Sequence, residues 1–525
     1  MSREIFKGRV LILSLLIIPA AIFTYLFLIL APESSSMSLW PPMLAGFGLA
    51  AASVDLGWYP PRATSINNLT AALHGEGVYG FIFNSSHTPD REYSVYNWCD
   101  MPHVRKTEYV RPGKGFELVY VEVIQRHHKR TPYASNAFPV EPYHWDCDDQ
   151  GLYYYGTPFN DVKRPVPGFW RGFTSPINPF IPTGWIGTCQ FPQITAAGLD
   201  DSYEHGEDIY GVYHELLNFL PSRAGEEWRK KVVYRVTQNV ITSQVAGMLI
   251  GGTWETREST PLLIQAAGID SLEPQYSCPV GSALFNTIKS PADTTWKAHL
   301  ADAADLYTVL DEISGVPPTD AGFHASFDHY FDNLSARQCH AKPLPCKIGN
   351  GGSGGACINQ TLADAVYRLG QWEYSYIYRD APQSLAASVA SYGVWIAELA
   401  AHLRAVVAGE ENTPVYFHNV AHDGSVSRVL SILQIDVMVW PGMGSEVVFE
   451  LYKGSRQPTT QGTSSSSSGG HYVRVLFGGQ VLRSSNPSLG VMDMLPVETL
   501  LAYFDGLVGR DAGLVMGKCN GTVKT

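Results

Sequence analysis

Apolar residues dominate positions 118–124 (Leu118, Val119, Tyr120, Val121, Val123, Ile124), a run with the length and β-branched content of a buried strand. It ends in five consecutive side chains that are cationic or can become so, Arg126 to Arg130, and Pro132 closes the segment. Ligands of open α/β sheets bind at the carboxyl ends of the strands. Arg126, His127 and Arg130 therefore stand where an anion such as phosphate would be met. A second short apolar run, 415–421, ends in His422-Asp423 and leads into a helix-like pattern over 426–433. Between them the periodicity predicts a helix over 199–220, a strand over 231–237 that carries Arg235, and a helix over 240–249. Helical stretches at 295–313, 360–378 and 382–407 follow, with Pro382 suited to the first turn of the last. Two strands, 446–452 and 472–477, flank a Ser/Gly-rich linker at 459–470, and a short helix finishes the segment 487–507.

The amino end has a different pattern. Residues 10–31 form an uncharged run of 22 with one internal Pro, preceded by Arg3, Lys7 and Arg9. That is long enough to cross a bilayer core of roughly 30 Å and longer than the core of a cleavable signal. The expectation is a retained single-pass signal anchor with the bulk of the chain extracellular or luminal. Cleavage near 50–53, which would give a secreted protein, is the alternative. Residues 32–63 read as a stalk. All eight cysteines follow the apolar run, an even count that suits a disulfide framework, and no Cys-x-x-Cys pair suggests structural zinc. Asn68, Asn84, Asn333, Asn359 and Asn520 each open a glycosylation sequon. A formal charge of −12 argues against nucleic acid as a partner.

The segment Arg126-His127-His128-Lys129-Arg130-Thr131-Pro132 resembles the Arg-His-Gly-x-Arg-x-Pro signature of the histidine acid phosphatases, and His422-Asp423 resembles that family's second motif. Gln190 to Gly198 is similar to the family's Gln-Leu-Thr-x-x-Gly segment, with Phe219-Leu220-Pro221 at the end of the helix after it. The resemblance covers roughly residues 95–510. It implies an α/β fold, a mixed, mostly parallel sheet flanked by helices, with a mostly helical cap inserted between the two halves of the site. The corresponding division is a cytosolic tail at 1–9, the anchor at 10–31, the stalk at 32–63, core at 64–255, cap at 256–408 and core again at 409–525.

By resemblance, His127 is the nucleophile that forms a phosphohistidine and Asp423 the general acid. Arg126, Arg130, Arg235 and His422 hold the phosphate, because a guanidinium fork matches phosphate oxygens and stays charged. No cofactor or metal is implied, since the arginines supply the positive charge. The family Gly is His128 here, which raises a catalytically silent glycoprotein of the same fold as the alternative. A metal-dependent hydrolase using the His pairs is a third class. Two geometric conditions follow for the phosphatase reading: the two strand tips must reach one phosphate, and His127 must not be sealed inside the protein.

Overall fold

The computed structural model describes residues 54–78, 88–93, 95–139, 143–148, 168–181, 184–347, 355–454 and 470–524. The apolar run at 10–31, Asn84 and nearly all of the linker at 459–470 lie outside the described residues.

Ten strands are described: β1 (Phe116–Arg126), β2 (Tyr143–Trp145), β3 (Trp185–Gly187), β4 (Val232–Val236), β5 (Leu262–Leu263), β6 (Tyr416–Ala421), β7 (Glu446–Gly454), β8 (His471–Phe477), β9 (Gln480–Val481) and β10 (Leu495–Pro496). Twelve α-helices accompany them: α1 (Leu69–His74), α2 (Ala196–Tyr210), α3 (Val240–Trp254), α4 (Pro279–Ile288), α5 (Thr294–Asp302), α6 (Ala304–Ser314), α7 (Asp328–Cys339), α8 (Gln360–Ser375), α9 (Ser384–Ala408), α10 (Asp423–Ile432), α11 (Val497–Val508) and α12 (Val515–Asn520). The main sheet has the order β10-β8-β7-β1-β6-β4-β5, with β9 paired to β8. β1, β6, β4 and β5 are parallel, and β7, β8 and β10 extend the sheet in antiparallel fashion. This is a mixed α/β sheet with a parallel centre, and the strands β2 and β3 form a separate pair.

Alternation along β1 explains why the sheet is covered on both faces. Val121 and Val123 enter a core shared with Ile209 of α2, Leu249 and Trp254 of α3, and Tyr234 and Tyr416. Tyr120 and Ile124 face the other way, into a core built from α9, α10 and α11. Three layers result, and the strand reads apolar almost throughout because neither face meets water.

The helix α9 is long and apolar enough to cross a membrane, yet 72% of its most apolar window is buried within the protein. It is the core helix of one sheet face. The cap boundary placed at 408 is therefore corrected: α9 packs in the sheet core, whereas Trp296, Leu310, Phe331, Val366 and Trp372 of α5–α8 form a separate cluster. Pro382 precedes α9 rather than occupying its first turn, since Gln383 is the cap residue. The stalk is also shorter than expected. Val54 and Trp58 pack on the sheet core, and the Arg379 guanidinium donates to the Tyr59 carbonyl.

All eight cysteines are paired, as Cys99–Cys339, Cys147–Cys189, Cys278–Cys519 and Cys346–Cys357. Among the described sequons, Asn68, Asn359 and Asn520 are exposed. Asn333 is not available as an acceptor. It lies inside α7 at 0% exposure, and its amide donates to the Asn136 carbonyl. A sequon is a local pattern, and here the helix turns it into the cap core.

Candidate active site

The two chemically loaded strand ends are adjacent. β1 and β6 run parallel in register, with Arg126 opposite Ala421, and the His127 amide donates to the Ala421 carbonyl at 3.1 Å. One residue beyond each strand, the His127 and His422 rings lie with centroids 5.5 Å apart. Asp423 opens α10 with His422 as its N-cap residue, so its carboxylate sits at the positive end of the helix. The Arg126 guanidinium is 3.1 Å from that carboxylate. The first geometric condition is met.

Arg126 is held by a bond to the Pro441 carbonyl at 2.5 Å and by the Trp98 ring, 4.5 Å from its guanidinium carbon. Arg130 donates to Asp332 of α7 and to the Thr131 carbonyl, both at 2.9 Å, and lies over Tyr133. The Nε donors of Arg126 and Arg130 are buried with no hydrogen-bond partner among the described residues. Two buried, unmet cationic donors flanking one imidazole are what an anion-binding cradle requires.

His127 donates from Nδ1 to the His128 carbonyl at 2.9 Å. A carbonyl only accepts, so the proton is on Nδ1 and Nε2 carries the free lone pair. Burial and then Arg130, Arg126 and His422 hold the His127 pKa well below its usual value, so the ring is neutral across physiological pH. Burial lowers His422 to about 4, and its Nε2 is 3.0 Å from the Thr237 hydroxyl. Asp423 experiences an upward push from burial. Arg126, a hydrogen bond from the Trp440 indole at 2.9 Å and Arg130 together outweigh it, so the net shift is downward.

The second condition is not met in this conformation: His127 is 1% exposed. Its neighbours are more open, with 23% of the Asp423 side chain and 11% of the His422 side chain exposed.

Arg235 does not join the site, which corrects its assignment as a third phosphate clamp. Its guanidinium faces α9 and contacts Glu398 at 2.7 Å, Gln265 at 2.7 Å and Ser271 at 2.8 Å. Register decides this: Arg235 pairs with Asn419, whereas Arg126 stands level with Ala421, two positions further along β6, so Arg235 lies short of the strand ends and meets α9.

His128, in the place of the family Gly, turns away from the cradle. Its ring is fully buried, with Nε2 within 3.0 Å of Gln125 and 3.1 Å of His205. Gly444, at φ +71°, leaves room for it; a Cβ there would lie 2.4 Å from His128 Cε1. The Gly444 amide also donates to the His127 carbonyl at 3.1 Å. Gly444→Ala is expected to cost at least about 2 kcal/mol through the left-handed backbone and the overlap, measured by denaturant unfolding. The cost of Gly444→Ala is expected to be smaller when measured in a His128→Gly background, by the share due to overlap.

Asp100, His128 and Asp201 are the described group with donor atoms arranged for a metal, all within 4.8 Å of one another and all buried. Burial and Asp201 raise the Asp100 pKa well above its usual value. The Lys129 ammonium, 3.0 Å from Asp201, already brings a positive charge to this group.

The segment resembling Gln-Leu-Thr-x-x-Gly braces the cradle. The Thr131 amide donates to the Gln193 carbonyl at 2.9 Å and the Thr195 amide to the Lys129 carbonyl at 3.3 Å. A Cβ on Gly198 would sit 2.0 Å from that Lys129 carbonyl, so only Gly fits. Trp98, Asp332, Trp440 and Pro441 carried no signal in the sequence, because each meets the site from a distant segment.

No family model matches the chain, and no curated protein matches it. Among solved structures, the chain is similar to Hafnia alvei phytase in complex with tartrate at 13% identity and a TM-score of 0.48, covering 76% of this chain and 99% of that one. It is similar to the phytase from Citrobacter braakii at 11% identity and a TM-score of 0.47, with 74% and 98% covered. It is similar to Bifidobacterium longum multiple inositol polyphosphate phosphatase at 12% identity and a TM-score of 0.43, with 74% and 92% covered. The likeness is one of fold, and at TM-scores below 0.5 it carries no argument about chemistry.

Proposed function

We propose that the protein hydrolyses phosphomonoesters through a phosphohistidine on His127, in a state that opens this ring, 1% exposed here, to the substrate. The observation that supports this is the convergence of Arg126, His127 and Arg130 from one strand end with His422 and Asp423 from its neighbour. In the first step His127 Nε2 bonds to phosphorus while the ester P–O bond breaks, and the leaving oxygen takes a proton from Asp423. In the second, water attacks phosphorus, its proton passes to the Asp423 carboxylate, and the N–P bond breaks to release inorganic phosphate and neutral His127. Arg126 and Arg130 offset the charge of the phosphoryl oxygens throughout. The four disulfides fit an oxidising compartment, so the site is read as extracytoplasmic, on a chain anchored or secreted through residues 10–31 and glycosylated at Asn68, Asn84, Asn359 and Asn520.

The burial of His127 favours a second reading, a silent glycoprotein that keeps the fold. Assaying the purified ectodomain with p-nitrophenyl phosphate, with and without chelator, separates the two. Chelator-resistant turnover that His127→Ala removes is the expected result. No turnover anywhere between about pH 3 and 8 leaves the silent reading, and loss of turnover on chelation points to a metal-dependent hydrolase.

A further inference from the structure

The cradle has two guanidiniums, because Arg235 turns to α9, yet a third parallel strand tip borders it. β4 pairs with β6 with Val236 opposite Val420, so Thr237, the next residue, stands beside the tip that carries His422. The Thr237 hydroxyl is 3.0 Å from His422 Nε2. A Glu273 carboxylate oxygen, from the segment after β5, lies 3.8 Å from the same nitrogen. The other ring nitrogen, Nδ1, has no hydrogen-bond partner among the described residues.

The Thr237 hydroxyl has one proton and several neighbours. The Asn239 amide donates to it at 3.3 Å. Thr242, 3.2 Å away, gives its own proton to the Asn239 carbonyl at 2.7 Å. The Glu273 carboxylate is the strongest acceptor in reach, and it takes a hydrogen bond from Thr237. Thr237 Oγ1 is then left to accept from His422 Nε2. The arm runs from the ring through a hydroxyl to a carboxylate.

The charges around the ring make this arm matter. Burial, with Arg130 and Arg126, keeps the free ring neutral despite Asp423. On the other side burial and Asp270 push the Glu273 pKa up, and Thr237 and Gln275 oppose that rise; Asp270 itself lies 3.5 Å from Arg235. A tetrahedral dianion between Arg126 and Arg130 would cancel their repulsion of a proton on His422. Glu273 would then balance the imidazolium from the far side.

We infer that Glu273 is a positioning residue for the cradle: directly and through Thr237 it orients His422, and it is the counter-ion with which His422 takes up a proton when the phosphoryl anion binds. His422 thereby becomes the third cation, donating from Nδ1 to the anion, in place of a third arginine. This rests on the anion-binding part of the reading above and deepens it.

The test uses sulfate, a tetrahedral dianion with no proton to give, so a proton taken up on binding comes from the buffer. Uptake is read by titration calorimetry in buffers of different ionisation enthalpy, at about pH 6, where a free His422 is neutral. The protein is the chain from residue 54 on, which holds every described core cluster. Asp423 also gains a proton beside a bound dianion, so Asp423→Asn serves as the background. There, uptake of about half a proton or more per sulfate is expected. Adding Glu273→Gln is expected to remove most of it and to weaken sulfate about tenfold or more, since an opposite charge this close moves a pKa by about 1–3 units. If Glu273 only repels the anion, the same change tightens sulfate, and that result overturns the inference. So do an unchanged affinity and uptake, uptake that survives His422→Gln, and absent sulfate binding. Thr237→Ser, which keeps the hydroxyl, is expected to retain the uptake that Thr237→Val reduces, and equal uptake in the two overturns the arm through Thr237. Turnover of p-nitrophenyl phosphate judges the phosphatase reading separately: Glu273-dependent uptake in a protein without turnover fails that reading and keeps this inference.

Discussion

His127→Ala is expected to reduce turnover of p-nitrophenyl phosphate by about 10⁴-fold or more, because the Ala protein has no nitrogen to accept the phosphoryl group. The arginines remain, so inhibition by inorganic phosphate should weaken by less than about tenfold, a KM-type effect far smaller than the loss in kcat. Acid-labile phosphate trapped on the parent protein during turnover, and missing from the variant, identifies the covalent step. A variant as active as its parent would remove His127 from the chemistry. A parent with no activity would give the 1% exposure of this ring a functional meaning, that of a closed and silent cradle.

The second large effect concerns the proton. Asp423→Asn is expected to lower kcat/KM on an alkyl phosphate by about 10²- to 10⁴-fold, the usual value of a general acid. On p-nitrophenyl phosphate, whose leaving group departs without a proton, the loss should be at least about tenfold smaller. The structure also sets the pH dependence. The net downward shift of Asp423 leaves it ionised in the free protein, at any pH above its depressed pKa. The reactive complex needs one proton shared between carboxyl and substrate, and a phosphomonoester, with a second pKa of about 6, brings it as the monoanion. Binding the phosphoryl group between Arg126 and Asp423 then places two anions together and favours transfer of that proton to the carboxyl. Hence kcat/KM should fall about tenfold per pH unit above roughly pH 6, and a flat profile up to about pH 8 would exclude this route. As a stability term the same shift has the opposite sense. A carboxyl with a depressed folded pKa stabilises the fold above its unfolded value of about 3.9, and the contribution disappears as pH falls through the folded value.

Several structural corrections share one cause. The resemblance assigns Arg235 and the end of the cap, a three-residue pattern assigns Asn333, and each is decided by what lies across from it in space. Arg235 stands near a strand end, yet its side chain leaves the sheet toward Glu398. The three residues from Asn333 form an ordinary sequon, yet all three are buried on α7, with Leu334 in the cap core. Residues 382–407 read as one more helix of an inserted cap, yet α9 closes the sheet. The cap itself contributes what no motif announced: Asp332 fixes Arg130 at 2.9 Å.

Sequence by itself determined the two strand tips, because a buried β-strand needs an unbroken apolar run and the charges that end it must lie at the sheet's edge. It also determined that the cysteines would pair, through an even count placed wholly after the apolar amino segment. Only the tertiary structure decided which tips are neighbours, with β6 inserted between β1 and β4, and which of the three arginines lie beside His127. Strand order and side-chain face are set by packing among segments hundreds of positions apart. No window of sequence contains that information, whereas the length of an apolar run is contained in the run itself.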